Sequence, residues 1–337
     1  MKILKWITIY LLAGLLLAPC AQGAGKAVVV KLATLAPEGS TWMEIFNQIN
    51  AEVIQATDGR VRFRIYPGGV LGDERDMLRK MHIGQIHSAA LSAPAMAGLF
   101  KEIDIFQIPF LFQTYAEVDY VLDQMSDFFK QGFEKSGYVL LDWSEVGFVR
   151  LMSTVPIATL ENLKQAKVWT WEDAPISNAI FNEANIAAIP LTVPDVLVGL
   201  QTGLVDVVYA PPAGAIALQW FTKVKFVTDV PLIYLAGGIV IDKNVLQRIS
   251  SEHRQLLMQI MKRNMIRMKS AIRKDNQDAL RVMEKHGVKT IVPTAEEVEK
   301  FKQLSTAALQ YLGGVSFSQA TLDRVHVHLA RFREGRP

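Results

Sequence analysis

The side chains able to do chemistry are few, and their spacing excludes most reactions. Six histidines occur, His82, His87, His253, His286, His326 and His328. None falls into HExxH or another zinc-binding spacing. His326 and His328 are two apart, which on a helix points them to different sides as solvent-facing polar residues. Cys20 is the only cysteine, and it lies in an N-terminal leader, so disulfides, thiol nucleophiles and cysteine metal sites are excluded from the folded part. Gly68-Gly69-Val70-Leu71-Gly72 superficially looks like a dinucleotide fingerprint. It follows Tyr66-Pro67 and lacks the ordered first glycine pair, so it reads as a turn. There is no GxSxG, no P-loop and no serine in a nucleophile elbow. The expectation is a protein that binds rather than reacts, with no enzyme activity, no cofactor and no metal.

The elements that must position a binding site follow from length and periodicity. The chain has 337 residues, half of them apolar, enough for two domains with a sizeable core. Lys2 and Lys5, an apolar run from Ile7 to Ala18 and the small segment Ala21-Gln22-Gly23 read as a secretory signal over residues 1–23. The run stops at Pro19, short of the roughly 20 apolar residues of a membrane anchor. Leu17-Ala18-Pro19-Cys20 resembles a lipobox, with Pro where a small residue is expected, so lipidation at Cys20 is the lesser alternative to a free periplasmic protein. Without Lys2 and Lys5 the chain is balanced to within one charge, which argues against nucleic acid as a partner.

From Val28 onward short apolar runs alternate with amphipathic segments, an α/β pattern. Strands are predicted at 28–35, 61–66, 88–92, 106–112, 138–143, 149–153, 167–171, 187–191, 205–210 and 238–242. Helices are predicted at 40–57, 73–82, 116–135, 175–184 and 194–202. Ser251 to His286 runs about 36 residues without Gly or Pro and is closed by Gly287, a helix of roughly 50 Å that should span more than one domain. The polar stretch Arg273 to Asp278 interrupts its apolar stripe. A kink or lobe crossing is expected there, or alternatively two helices with a break at Lys274.

An exported, cysteine-free α/β chain with such a helix suits a periplasmic binding protein, and particular residues sharpen this. Thr57 to Met77 closely resembles the stretch TGGRVEIEVYPGGQLGDEREML of DctP-type solute receptors of TRAP transporters. Ile108-Pro109-Phe110-Leu111-Phe112, Leu160 to Lys167 and Leu200 to Asp206 are similar to further family stretches, in the expected order, from Val28 to about Phe301. The resemblance implies a two-lobed receptor with mixed sheets that closes on a small molecule and delivers it to membrane subunits. The expected division is lobe I at 26–146 with 238–273, and lobe II at 147–237 with 274–337.

In that family the ligand's carboxylate is held by an arginine in LKGLKIRVP, because a guanidinium forks onto a carboxylate through two charge-assisted hydrogen bonds. The matching stretch here places Trp169 at the arginine and Trp171 at the proline. In the second signature, GVVDGQENP, Tyr209 stands for the glutamate and Ala210 for the asparagine. A looser alignment puts Ser92 and Leu35 at other ligand positions. These exchanges run from charge and amide toward apolar surface, so the resemblance implies a cleft faced by Trp169 and Trp171. Burying roughly 300 Å² of apolar ligand supplies about 7 kcal/mol before association costs, so the leading expectation is an apolar or amphipathic solute. Arg150 is the candidate substitute if the ligand is still an organic acid. Glu172 could hold a hydroxyl or an amine, and with Trp169, Trp171 and Tyr209 it could cage a quaternary ammonium. A periplasmic helical-repeat lipoprotein that receives the ligand is the alternative partner to transporter subunits.

Overall fold

The computed structural model describes residues 27–335, apart from 173, 311 and 313–315. The leader and Cys20 lie outside the described residues. No helix among the described residues is long and apolar enough to cross a membrane.

Among the described residues nine strands form a mixed sheet and a small annex. They are β1 (Val28–Thr34), β2 (Val61–Tyr66), β3 (Ser88–Ser92), β4 (Tyr138–Ser153), β5 (Trp169–Thr170), β6 (Ile189–Pro190), β7 (Val207–Ala210), β8 (Phe226–Asp242) and β9 (Lys289–Ile291). The main sheet runs β2-β1-β3-β8-β4-β7, with β9 on β8, while β5 and β6 pair separately. β2 and β3 lie parallel to β1, whereas β3–β8, β8–β4 and β4–β7 are antiparallel. β2 shows why it sits at an edge: Val61 and Phe63 are buried while Arg62 and Arg64 are exposed, the alternation of a strand with one solvated face.

Among the described strands, β4 and β8 are the ones that pair with different partners at their two ends. β3 pairs with Gly237–Ile241 at one end of β8, and β9 pairs with Phe226–Thr228 at the other. β7 pairs with Arg150–Ser153 at the far end of β4. The register between β4 and β8 shifts at Glu145/Gly147 and again at Val149/Leu151, so both strands are irregular near their middle. Gly147 has φ +120°, and a Cβ there would collide with Asn276 Nδ2, so glycine is required.

The helices that matter for the site are α1 (Thr41–Ala56), α2 (Glu74–His82), α3 (Tyr115–Gln124), α4 (Ser126–Lys135), α5 (Pro175–Glu183), α6 (Pro212–Ala217), α7 (Ser251–Lys285), α8 (Ala295–Leu309) and α9 (Gln319–Arg333). Ser40 caps α1 by accepting from Met43 N. The apolar face Met43, Phe46, Ile49 and Val53 then packs with Leu257, Met261, Met265 and Met268 of α7 against one face of the sheet. A second core on the opposite side continues from Met77, Phe106 and Phe129 to Trp169, Val207 and Trp220.

α7 is one uninterrupted helix of 35 residues, capped by Ser250 and followed by Gly287 at φ +87°. The expected interruption at Arg273 to Asp278 is instead a docking point. Arg273 donates to Asp119 at 2.7 and 2.8 Å and to Glu145 at 3.0 and 3.1 Å, and its guanidinium lies 4.4 Å from the Tyr115 ring. Asn276 donates to Val146 O at 2.9 Å and accepts from Ala213 N at 3.0 Å. Polar residues that break an apolar stripe therefore fasten the helix to the irregular middle of β4.

Several expected elements differ. Residues 106–112 are not a strand: a 3-10 helix spans Lys101–Gln107, and Phe110 follows in the left-handed region at φ +61°. Its apolar residues Ile103, Ile105 and Phe106 are buried by side-chain packing without a ladder, and Glu102 accepts from Ser318 N at 2.9 Å. The helix expected at 116–135 turns at Met125, so Val118 and Val121 of α3 and Phe129 and Phe133 of α4 reach the same core. The strands expected at 138–143 and 149–153 are one. β8 begins at Phe226 rather than Gly238; Pro231 hid its first half, and Asp229 to Leu232 have no ladder partner on β4. The C-terminal region also divides. α8 packs on α5, but α9 returns to α3, where Arg333 donates to Glu117 at 2.7 Å. His328 is half-buried against Tyr120, with ring centroids 6.3 Å apart, whereas His326 is exposed.

Candidate functional site

A cavity of about 140 Å³ lies where the two ends of the molecule meet. From the β1–β3 end come Leu35, Ala36 and Pro37 after β1, Trp42 and Phe46 of α1, Glu74 of α2, and Ala90, Leu91 and Ser92 of β3. From the β7 end come Trp171, Tyr209, Ala210, Pro211, Gly214, Ala217, Leu218 and Trp220. Ser144, Val146 and Leu235 of β4 and β8 form its floor. The topology explains the composition: β1 and β3 end here, and β7 delivers Tyr209 and Ala210 from the opposite side.

The lining contains no Lys, Arg or His. Its single carboxyl is Glu74, buried, whose Oε1 accepts from Ser92 N at 2.7 Å and whose Oε2 meets the Ser92 hydroxyl. Burial pushes the Glu74 carboxyl up to about 7; hydrogen bonds from Ser92 oppose the rise and the neighbouring Asp73 charge adds to it. Burial likewise raises the Tyr209 phenol above its ordinary value.

Five residues expected at the site do line this cavity: Leu35, Ser92, Trp171, Tyr209 and Ala210. Three do not. Trp169 is 0% exposed and stands behind the wall, its ring centroid 4.5 Å from Trp171, 5.1 Å from Tyr209 and 5.4 Å from Trp220. Its Nε1 donates to Leu191 O at 3.0 Å. The reason is strand polarity: consecutive residues of β5 point to opposite sides, and Trp169 shares its side with Trp171 but lies deeper, under β7. Glu172 turns away to a second, outer cavity of about 550 Å³, where it meets Arg75 at 3.5 Å. The ammonium cage with Glu172 as counter-charge is therefore not assembled. Arg150 faces Asp229 at 3.1 Å, with its side chain 19% exposed, and is absent from the lining.

Sequence reasoning missed Glu74, Trp42 and Trp220. Glu74 lay inside the most specific motif but read only as a helix start. Trp42 is an α1 face residue that donates through Nε1 to Glu145 O at 2.9 Å, and Trp220 enters through a 3-10 turn. Among the described residues no group of three or more His, Cys, Asp or Glu could hold a metal.

Residues 32–313 match the family described as bacterial extracellular solute-binding protein, family 7, or DctP. The chain is 25% identical over 239 residues to the 2,3-diketo-L-gulonate-binding periplasmic protein YiaO of Escherichia coli K12, covering 70% of this chain and 73% of that protein. Some other curated relatives align over about half of their own length. Among solved structures, the sugar acid binding protein DctPAm of Advenella mimigardefordensis in complex with galactonate superposes with a TM-score of 0.84 at 20% identity, covering 91% of this chain and 99% of that one. A TRAP periplasmic solute binding protein of Desulfovibrio salexigens with bound orotic acid gives 0.82 at 19%, covering 90% and 99%. These likenesses carry the two-lobed α/β fold, and the match over 32–313 carries the family: the chain belongs to the DctP family of bacterial extracellular solute-binding proteins and is a solute receptor, not an enzyme.

Proposed function

We propose that this receptor captures an uncharged apolar or amphipathic solute in the periplasm and hands it to the membrane subunits of a TRAP-type transporter. The observation that carries this is the lining: twenty-two residues with no cation and one buried carboxyl. A carboxylate placed there without a partner, beside Glu74, costs several kcal/mol. An apolar cavity near 150 Å³ is of a size that admits a benzene-like molecule, and Trp42, Trp171 and Trp220 offer flat walls to one.

Closure gives the driving force. The solute touches residues from both ends of the molecule, so it binds the closed form more tightly and shifts the population toward it. The division at 146/147 and 237/238 fits this reading, with β4 and β8 flexing at the register shift between Glu145 and Gly147. α7 spans the two sides, docked through Arg273 and Asn276.

A second reading keeps an organic acid, because the similar proteins named above bind sugar acids, a diketogulonate or orotic acid. It needs Arg150 to leave Asp229 and reach past Ala210, its partner in the β4–β7 ladder, or another group to answer the charge. Mass spectrometry of organic extracts of the protein, purified from its own periplasm without refolding, separates the two. A stoichiometric neutral apolar or amphipathic molecule is expected. A stoichiometric small carboxylate would overturn the first reading in favour of the second.

A further inference from the structure

Glu74 begins α2 and Ser92 ends β3, so their contact fastens a helix start to a strand end at one wall of the cavity. The two side chains are joined twice, through Ser92 N and through Ser92 Oγ. Both residues line the cavity, and no cation does. We propose that the Glu74–Ser92 pair is the specificity-determining group of this receptor, offering the Ser92 hydroxyl to one uncharged carbonyl-type oxygen of the solute and rejecting carboxylates. The proposal rests on the neutral-solute reading above.

Proton accounting gives the reason. A protonated Glu74 donates through Oε2 to Ser92 Oγ, which leaves the serine proton free for an acceptor in the cavity. An ionised Glu74 takes the serine proton, and the hydroxyl can then only accept. Because burial holds Glu74 up to about 7, both forms are populated near neutrality. The charges around the carboxyl are Asp73 on the same turn and, across the outer cavity, Asp76, Asp104 and Glu172 with Arg75 and Arg79. From the opposite wall Trp171 and Val193 bring none. A second carboxylate in the cavity would raise the cost of ionising Glu74 further and would meet neutral donors such as the Ser92 hydroxyl, the Tyr209 hydroxyl and the Trp171 indole N–H, but no cation to answer its charge.

Calorimetric titration of the mature protein with toluene, acetophenone and benzoate tests this, since benzoate and acetophenone are nearly isosteric. Acetophenone is expected to bind at least about tenfold more tightly than benzoate at about pH 6. Its affinity should fall about fivefold by about pH 8, because the binding form is the protonated one and is lost as pH rises through the Glu74 value. Ser92→Ala should weaken acetophenone about fivefold and leave toluene unchanged, and Glu74→Gln should flatten the pH profile. A pH-independent acetophenone affinity, or equal losses of toluene and acetophenone in Ser92→Ala, would each overturn the assignment while leaving the neutral-solute reading intact, whereas benzoate at parity with acetophenone would overturn both. Failure of all three probes to bind would overturn both. Should Glu74→Gln not fold, as judged by its thermal melt, the wild-type pH profile and Ser92→Ala still decide.

Discussion

Trp171 walls the cavity and Trp169 supports it from behind, their ring centroids 4.5 Å apart. Trp169 thus acts on the cavity through its wall rather than by direct contact, and the two residues should separate in experiment. Trp169→Ala removes a fully buried indole and should lower stability by about 3–5 kcal/mol in chemical denaturation. Trp169→Arg should be at least as damaging, because the guanidinium would be buried without a partner. Trp171→Ala should cost less stability and shift affinity toward a larger neutral probe, such as naphthalene over toluene. Equal stability losses for Trp169→Ala and Trp171→Ala would contradict this division.

A second prediction concerns the junction of α7 with β4. The Glu145 side chain is 1% exposed and its carboxylate is answered by Arg273. Burial holds Glu145 above its ordinary value despite the guanidinium. Arg273 is also paired with Asp119, which burial pulls upward but Arg273 and Lys269 hold below the ordinary range. Arg273→Met should therefore destabilise the protein by about 3–5 kcal/mol, through the charge it strands rather than the attraction it removes. Adding Glu145→Gln should recover a substantial part of that loss. A double-mutant cycle with no recovery would mean that the packing of Arg273 on Tyr115 dominates.

Much of this was legible in the sequence, for physical reasons that also mark its limits. β2, β3 and α1 were readable because a local pattern decides them: alternation in Val61 to Tyr66, a capping serine and an apolar face in Ser40 to Ala56. The family was readable because Tyr66 to Asp76 has little freedom: Gly72 lies at φ +96° and a Cβ there would collide with the Asp76 side chain. Long-range packing was not. The burial of Trp169 depends on Trp220 and Tyr209, distant in sequence, and nothing at residues 167–171 distinguishes a wall from what stands behind it. Arg150 and Glu172 looked available until Asp229 and Arg75 were found facing them. Glu74 passed as a helix start because its role is set by Ser92, eighteen positions away.

Acid titration should reveal a third feature. Asp104 is buried, and burial pushes its carboxyl up to about 7 against a hydrogen bond from Gln107. Between its ordinary value of 3.8 and about 7 the folded protein binds a proton that the unfolded chain does not, so its contribution to stability is present at low pH and is lost as pH rises through that window. Asp104→Asn should therefore be more stable than the wild type at about pH 8, by on the order of 2–4 kcal/mol, and equal to it near pH 4. Denaturation midpoints across this range measure it. A variant less stable at every pH would show that the ionised carboxyl is needed by its neighbours.

Arg150 provides the sharpest test between the two ligand readings. It leaves β4 beside Ala210, a cavity residue, yet its Nε faces Asp229 at 3.1 Å. The Asp229 side chain is 46% exposed, and a pair of that kind contributes about 0–1 kcal/mol. Under the neutral-solute reading Arg150→Ala should change stability by no more than this and leave toluene and acetophenone affinities within about twofold. Under the organic-acid reading through Arg150 the same change removes the guanidinium that would hold the ligand, and a carboxylate such as benzoate or galactonate should lose binding by about a hundredfold or more. The discriminating quantity is the ratio of the two losses in one calorimetric series, because a general distortion of β4 would lower both affinities together.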